Sequence, residues 1–194
     1  MPDYNLSKLN VLVVERHGPM RRLICNILRE LGIANLRDAG DEKTAFDLFQ
    51  EFPADLVLTD WSPELNGMAF LDKIRKHAES RDIFAPVVMI TAFTELHQVC
   101  KARDSGINEF LAKPFSAGLI YSRIRSLIEN PRLYVRAEEY FGPDRRRRAL
   151  SYRGRERRGG APMDLPTATH AASGLPAGSE QRSDRGRPQA PQLH

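Results

Sequence analysis

The stretch "NVLVVE", residues 10–15, decides the fold of this chain. Four consecutive valine or leucine residues predict a strand that is buried on both faces, and this strand ends at an acid, Glu15. Shortly after it the apolar residues change to a helical spacing, with Pro19 in the first turn of the helix. A buried strand that leads directly into an amphipathic helix is typical of an α/β protein with a parallel sheet.

The same alternation continues to about residue 130. Because parallel strands need crossover connections, five strands that alternate with five helices predict a sheet covered on both faces. Such sheets bind ligands beyond the carboxyl ends of their strands. The further strands are predicted at 34–40, 54–60, 85–91 and 108–115, and the helices at 19–31, about 41–52, 68–78, about 94–104 and from Ser116 onward.

Charged and polar residues follow the ends of these strands. In a parallel sheet such ends share one edge, so we expect a carboxylate, a hydroxyl and an ammonium group to converge there. The residues are Glu15 and Arg16 after the first strand, Asp60 at the end of the third, Thr91 at the end of the fourth and Lys113 after the fifth.

Over residues 8–129 the sequence resembles the receiver domain of two-component response regulators. The resemblance rests on "VLVVE" with "PMRR" behind it, "DLVLTDW", "NGMAFL", "PVVMITA" and "EFLAKPF". It implies a CheY-like, flavodoxin-like α/β domain with a doubly wound, five-stranded parallel sheet in the order 2-1-3-4-5. It also implies a bacterial phosphorelay protein that signals and is not an enzyme.

The resemblance implies a role for each residue at the sheet edge. Asp60 matches the aspartate that accepts a phosphoryl group from a sensor histidine kinase or a phosphotransfer protein. Lys113 and Thr91 match the residues that stabilise this group, and Phe110 matches the switch aromatic. The family's Mg²⁺ would be held by the side chains of Glu15 and Asp60 and the backbone carbonyl of Ser62.

The sequence departs from the family pattern near Asp60. Receivers carry two acids after the first strand, whereas this chain has Arg16 in place of the second. Pro63 comes one residue earlier than usual and restricts Ser62, and Phe93 would restrict approach to Asp60. These changes are expected to weaken Mg²⁺ binding and phosphotransfer.

Two positions for the Arg16 side chain are open from the sequence. The guanidinium could clamp Asp60 as its counter-charge, with an attraction of about 4 kcal/mol at ~4 Å in an effective dielectric of about 20. Alternatively, the side chain points to solvent and only removes a metal ligand. We favour the clamp, which would hold the domain in one of its two states.

The net charge of +4 conceals an asymmetry along the chain. Residues 131–160 hold ten arginines against four acids, while residues 1–130 carry a net charge of −2. We predict an arginine-rich extension over 130–160, where Tyr140 and Phe141 could pack in a short ordered segment. The composition beyond it buries too little apolar surface to offset backbone entropy, so 161–194 is predicted to be a disordered tail.

The extension has three interpretations. Clustered guanidinium groups pair with phosphates and stack on bases, so Arg145, Arg146, Arg147 and Arg148 form an anion-binding hypothesis. The strip resembles the arginine-rich tails of a subgroup of alphaproteobacterial chemotaxis-type receivers that bind cyclic di-GMP. Binding to nucleic acid or a membrane surface is less favoured, and a solvated linker or a protein contact is the ordinary interpretation of a charge run.

Composition narrows the function classes. No stretch approaches the roughly 18 apolar residues that a membrane span needs, and the N-terminus lacks the apolar core of a signal peptide. Cys25 and Cys100 have no metal-ligand spacing. We therefore predict a cytoplasmic, single-domain response regulator that acts on a downstream protein. The alternative is a pseudo-receiver, independent of phosphorylation, whose extension binds cyclic di-GMP or another phosphate-bearing ligand.

Overall fold

The structure is a computed structural model that describes residues 4–93, 95–137 and 140–144. In these ranges five strands alternate with five helices, and a two-stranded hairpin follows. The strands are β1 (Asn10–Val14), β2 (Asn35–Ala39), β3 (Leu56–Trp61), β4 (Val87–Thr91) and β5 (Glu109–Ala112). The helices are α1 (Gly18–Glu30), α2 (Glu42–Glu51), α3 (Gly67–Lys76), α4 (Leu96–Asp104) and α5 (Ala117–Glu129), and the hairpin is β6 (Tyr134–Ala137) and β7 (Tyr140–Pro143).

The first five strands form one parallel sheet in the order β2-β1-β3-β4-β5. Val14 at the end of β1 lies beside Ala39 of β2 and Thr59 of β3. Trp61 at the end of β3 lies beside Thr91 of β4. This register brings the carboxyl ends of the strands to one edge, and the predicted fold class and strand order are confirmed.

Two apolar clusters, one on each face of the sheet, hold the helices in place. Ile24 of α1 and Ile120 of α5 belong to one cluster. Phe49 of α2 and Phe70 of α3 belong to the other. Since burial of one large apolar side chain contributes about 1.5–3 kcal/mol, these clusters fix the sheet against its helices.

Local sequence signals set the helix ends. Pro19 lies in the first turn of α1, where its missing N–H has no intrahelical partner to lose. Gly32 follows the end of α1 with φ of 88°, a left-handed conformation that favours glycine. The side chains of Asp41, Asn66 and Ser116 cap α2, α3 and α5 by accepting a backbone N–H three residues further on.

The β6–β7 hairpin packs where β4 and β5 begin, at the opposite edge from the convergent strand ends. The rings of Phe84, Tyr134 and Phe141 contact one another with centroids 5.3–5.8 Å apart. A Cβ on Gly106 would lie 2.7 Å from the carbonyl oxygen of Phe141, and a Cβ on Gly142 would lie 2.6 Å from the Cα of Gly106. Two glycines thus allow the backbones to touch.

A buried guanidinium joins the hairpin to the sheet. Arg75 of α3 is 3% exposed, and burial lowers its pKa. A buried charge needs hydrogen-bond partners, and Arg75 has five neutral acceptors. Because these acceptors belong to different segments, Arg75 holds the segments together. The acceptors are the carbonyls of Ile83, Ala85 and Gly106, the side-chain oxygen of Asn108 and the hydroxyl of Tyr134.

The extension after α5 is only partly described. Within the predicted 130–160 segment, Tyr140 and Phe141 lie in β7, whereas residues 138–139 and those from 145 onward lie outside the described residues. The predicted disordered tail, 161–194, also lies outside them. No helix in the described ranges is long and apolar enough to span a membrane.

Candidate functional site

Three charged side chains meet at the carboxyl edge of the sheet. Lys113, just after β5, places its ammonium 2.8 Å from Oε2 of Glu15 and 2.8 Å from Oδ1 of Asp60. The two carboxylates are nearly inaccessible, with exposures of 2% for Glu15 and 3% for Asp60. The structure therefore brings these three predicted site residues together, with Lys113 as their shared counter-charge.

The two carboxylates set the protonation state of Lys113. Burial lowers the pKa of the ammonium, but the hydrogen bonds and negative charges of Asp60 and Glu15 outweigh it, so the pKa of Lys113 is raised above its usual value. Lys113 is therefore charged at neutral pH. Two carboxylates and one ammonium leave this cluster with a formal charge of −1.

Glu15 is held in one orientation. Its Oε2 accepts from Lys113, and its Oε1 accepts from the backbone N–H of His17 at 2.9 Å. The backbone N–H of Glu15 donates to the carbonyl of Ala39 at 3.1 Å. Since hydrogen bonds to a carboxylate are stronger than neutral ones, this carboxylate is fixed toward Lys113.

Arg16 does not take the position predicted for it. Its side chain is exposed, and Lys113 is the cation that pairs with Asp60. The turn after β1 explains the difference, because the N–H of His17 folds back onto Glu15 while Arg21 donates to the carbonyl of Glu15 at 2.7 Å. The prediction that Arg16 clamps Asp60 is wrong for this structure.

The hydroxyl of Thr91 has two partners away from the Asp60 carboxylate. It donates to the carbonyl of Trp61 at 2.6 Å and accepts from the N–H of Phe93 at 2.9 Å. The ring of Phe93 packs edge-on against the indole of Trp61, with centroids 5.1 Å apart. Thr91 must therefore break at least one of these bonds before it can donate to a group on Asp60.

The start of α3 lies directly against the backbone of Asp60. A Cβ on Gly67 would overlap the carbonyl oxygen of Asp60 and lie 3.2 Å from Oγ1 of Thr59. The N–H of Gly67 donates to the carbonyl of Leu65 at 3.0 Å. Glycine at position 67 thus sets where Asp60 sits relative to α3, a function that the sequence motif "NGMAFL" alone did not disclose.

Gly67→Ala is expected to lower the free energy of unfolding by about 2 kcal/mol, since the added methyl collides with backbone that cannot turn aside. Urea unfolding followed by circular dichroism measures the change. Gly118→Ala is the matched control, because a Cβ there meets only Oγ of Ser116, at 3.9 Å. Equal midpoints for the two variants would contradict the assignment of Gly67.

Comparisons with known proteins agree with this geometry. A family model described as the response regulator receiver domain matches residues 11–125. This chain belongs to that family. The chemotaxis protein CheY-3 of Vibrio cholerae is 34% identical over 124 residues, which are 63% of this chain and 94% of that protein. The chemotaxis protein CheY of Pseudomonas aeruginosa is 34% identical over 122 residues, or 62% and 97% of the two chains.

Solved structures share the fold of this receiver. Vibrio cholerae chemotaxis protein CheY4 superimposes with a TM-score of 0.55 over 60% of this chain and 96% of that one, at 22% identity. The receiver domain of the Francisella response regulator 1452 gives 0.56 over 62% and 96%, at 28% identity. From the family match and the two chemotaxis relatives, the receiver is a CheY-like response regulator of two-component signalling, a class of signalling domains that are generally not enzymes.

The protein supplies only part of a Mg²⁺ coordination shell at the predicted site of this receiver. Mg²⁺ is commonly bound by one or two carboxylates together with waters and phosphate oxygens. Glu15 and Asp60 supply two carboxylates, although the described residues hold no group of three acidic, histidine or cysteine side chains around one point. The donors therefore fit a Mg²⁺ ion that completes its shell with water and phosphate oxygens.

The carbonyl of Ser62, the predicted third ligand, already accepts one hydrogen bond. Ser62 and Leu65 bond to each other across Pro63, with N–H to carbonyl distances of 3.1 and 3.3 Å. A carbonyl oxygen has a second lone pair, so the Ser62 carbonyl retains one position for a ligand. These bonds close a tight turn that contains Pro63 and begins directly after β3.

The remaining predicted residues lie away from the charged cluster or outside the described part of the receiver. Phe110 of β5 is half-buried and packs on the face of the sheet that α2 and α3 cover. Arg145, Arg146, Arg147 and Arg148 lie outside the described residues, so the anion-binding hypothesis stays a prediction.

Proposed function

We propose that this receiver accepts a phosphoryl group on Asp60 and signals through a protein partner. The position of Lys113 carries the proposal, since its ammonium lies 2.8 Å from a carboxylate oxygen of Asp60 and 2.8 Å from Glu15. A fixed cation beside the accepting carboxylate stabilises negative charge on the phosphoryl oxygens during transfer. The family match over residues 11–125 supports the same chemistry.

In the proposed reaction, a carboxylate oxygen of Asp60 attacks the phosphorus of a phosphohistidine. An O–P bond forms as the P–N bond breaks, and the histidine nitrogen leaves with the bonding electrons. Glu15, Asp60 and the carbonyl of Ser62 would hold Mg²⁺, which neutralises charge on the phosphoryl oxygens when it is bound. Lys113 contributes the second positive charge.

The signal would then pass through Thr91. Its hydroxyl leaves the carbonyl of Trp61 and donates to a phosphoryl oxygen, which draws the end of β4 toward Asp60. Phe110 lies on the neighbouring strand, half-buried, and can repack as β4 moves. A change of this kind alters the surface that a partner meets.

We propose a sensor histidine kinase or a phosphotransfer protein as the donor and a downstream protein as the target. Two similar proteins are chemotaxis proteins by name, and this supports output by protein contact. After α5 the described residues add a hairpin of eight strand residues, β6 and β7, which is too small to form a domain of its own.

The test is phosphoryl uptake from acetyl phosphate with Mg²⁺, read by intact mass on the full chain. The wild type is expected to gain one phosphoryl group and Asp60→Asn to gain none. Asp72→Asn, which changes an exposed carboxylate in the same way, is expected to behave as the wild type. Uptake by Asp60→Asn would contradict the proposal.

Arg16→Asp adds an informative variant to the same experiment, because it places an acid beside Glu15. If this variant takes up a phosphoryl group and the wild type does not, the wild-type chain is a pseudo-receiver. The proposed phosphorylation would then be wrong, and the arginine-rich extension would become the first place to look for the input.

A further inference from the structure

The turn between β1 and α1 is held by an arginine outside the Glu15–Asp60–Lys113 cluster. Arg21 of α1 donates from Nη1 to the carbonyl of Glu15 at 2.7 Å and from Nε to Oδ2 of Asp38 at 2.8 Å. The carbonyl of Arg16 lies 3.5 Å from the same Nη1, at the outer limit of a hydrogen bond. Arg21 therefore connects α1 with the ends of β1 and β2.

The guanidinium of Arg21 occupies space that is available because Gly40 has no side chain. A Cβ at position 40 would lie 2.8 Å from Nη1 of Arg21 and 3.6 Å from its Cζ. Gly32 and Gly106 are the described glycines with positive φ. An alanine at position 40 would therefore suit the backbone but would displace the guanidinium.

The ion pair with Asp38 does not by itself explain why the Arg21 side chain lies across this turn. The side chains of Arg21 and Asp38 are 25% and 49% exposed, and pairs so accessible contribute about 0.2–1 kcal/mol. The bond to the carbonyl of Glu15 is different, because it holds the residue whose carboxylate faces Lys113. It is also the shortest hydrogen bond that Arg21 makes.

Backbone and carboxylate are linked in this turn. The N–H of His17 donates to Oε1 of Glu15 at 2.9 Å, so the carboxylate and the backbone two residues later hold each other. Any shift of the Glu15 carbonyl moves the chain that leads to His17. The exposed side chain of Arg16, between them, is directed outward by the same turn.

We propose that Arg21 is a positioning residue for the Asp60 site. By holding the Glu15 carbonyl, it fixes the turn so that the carboxylate of Glu15 faces Lys113 and the side chain of Arg16 faces solvent. The consequence for phosphotransfer rests on the proposed function, whereas the positioning itself does not. Arg21 touches neither Asp60 nor the transferred group in this arrangement, and acts through Glu15.

Gly40→Ala tests the proposal without changing any charge, because its methyl group pushes aside the flexible end of Arg21. Two quantities are measured on the full chain: amide hydrogen exchange of His17 by NMR, and phosphoryl uptake from a series of acetyl phosphate concentrations with Mg²⁺. Arg22→Ala is the control, since it removes a neighbouring, exposed arginine of the same helix.

In Gly40→Ala we expect the His17 amide to exchange about tenfold faster, the factor that corresponds to about 1.4 kcal/mol. The maximal rate of phosphoryl uptake is expected to fall about fivefold or more, with the half-saturating acetyl phosphate concentration unchanged, because Glu15 orients the site rather than binds the donor. Arg22→Ala is expected to match the wild type in both measurements.

Results other than these would contradict the proposal. Unchanged exchange at His17 in Gly40→Ala would overturn the positioning by Arg21. Faster exchange with an unchanged maximal rate would show that the turn is held but does not serve phosphotransfer, which also overturns the proposal. If the wild type takes up no phosphoryl group, the proposed function fails, and the exchange measurement alone still accepts or rejects the positioning of Glu15.

Discussion

Replacing Arg75 by methionine is expected to lower the free energy of unfolding by about 3 kcal/mol. Arg75 is 3% exposed, and its guanidinium donates hydrogen bonds to three backbone carbonyls, to Asn108 and to Tyr134. Without it, these buried acceptors lose a donor, and the loss exceeds the gain from removing a buried charge. Urea unfolding of the full chain measures the difference.

The same variant is expected to free the β6–β7 hairpin. A hairpin of this size is marginal unless it packs on something larger, and Arg75 contacts it through Tyr134. Limited trypsin digestion should therefore cut after Arg136 faster in Arg75→Met than in the wild type. Arg81→Met, which removes one exposed hydrogen bond to the carbonyl of Gln50, should change neither result. If both variants behave alike, the contact between Arg75 and the hairpin is not significant in solution.

The second large effect is expected for Lys113→Met. Removal of the shared ammonium leaves Glu15 and Asp60 buried side by side without a counter-charge. Breaking a buried ion pair in this way costs about 3–5 kcal/mol. The rate of phosphoryl uptake is expected to fall about 100-fold, the usual effect of removing one stabilising donor.

The pH dependence of the stability that Lys113 contributes has a definite sign. In the wild type, the raised pKa of Lys113 means that its stabilisation is complete below about pH 10.4, the ordinary lysine value, and is lost as the pH rises through the raised pKa.

Lys73→Met provides the control for both measurements. Its ammonium pairs with Glu42 at 2.7 Å, but the two side chains are 44% and 29% exposed. A pair of this kind contributes about 0.2–1 kcal/mol and is screened by salt. If Lys113→Met loses no more stability than Lys73→Met, the cluster does not depend on Lys113 as we describe.

The sheet could be predicted because each strand and helix has its own hydrophobic pattern in the local sequence. The unbroken apolar runs in β1, β3 and β4 are fully buried with few exceptions, and each is followed by a helical spacing. The convergence of Glu15, Asp60 and Lys113 followed from topology alone, because parallel strands end at the same edge.

The direction of a side chain in a turn is a different kind of information. The position of Arg16 after β1 predicts a contact with Asp60, but the turn is decided by the His17 N–H, by Arg21 and by the space at Gly40. These partners lie up to 25 residues apart in sequence, so no local pattern reveals them. The motif "PMRR" contains Arg21 but does not state what it holds.

For the extension, the sequence predicts a short ordered segment with Tyr140 and Phe141, but not that its strands pair as a hairpin. Its strands of four residues carry a weak pattern, and their order depends on contacts with distant segments. The Tyr134 hydroxyl donates a hydrogen bond to the carbonyl of Phe84, 50 residues away, and accepts one from Arg75, 59 residues away. The helical spacing predicts that Arg75 lies in α3, but it does not predict that this arginine is buried. Without that information the contact with the hairpin cannot be predicted.

Trp61 gives the protein an optical reporter at its own proposed reaction centre. It is the sole tryptophan of the 194 residues and follows Asp60 directly. The carbonyl of Trp61 accepts the Thr91 hydroxyl, and its indole packs against Phe93. Tryptophan emission of the unlabelled chain, excited where its five tyrosines do not absorb, thus arises from one defined place. Departure of Thr91 from its bond to the Trp61 carbonyl should alter the intensity or wavelength of this emission. The kinetics of the proposed switch can therefore be followed by fluorescence in the native protein.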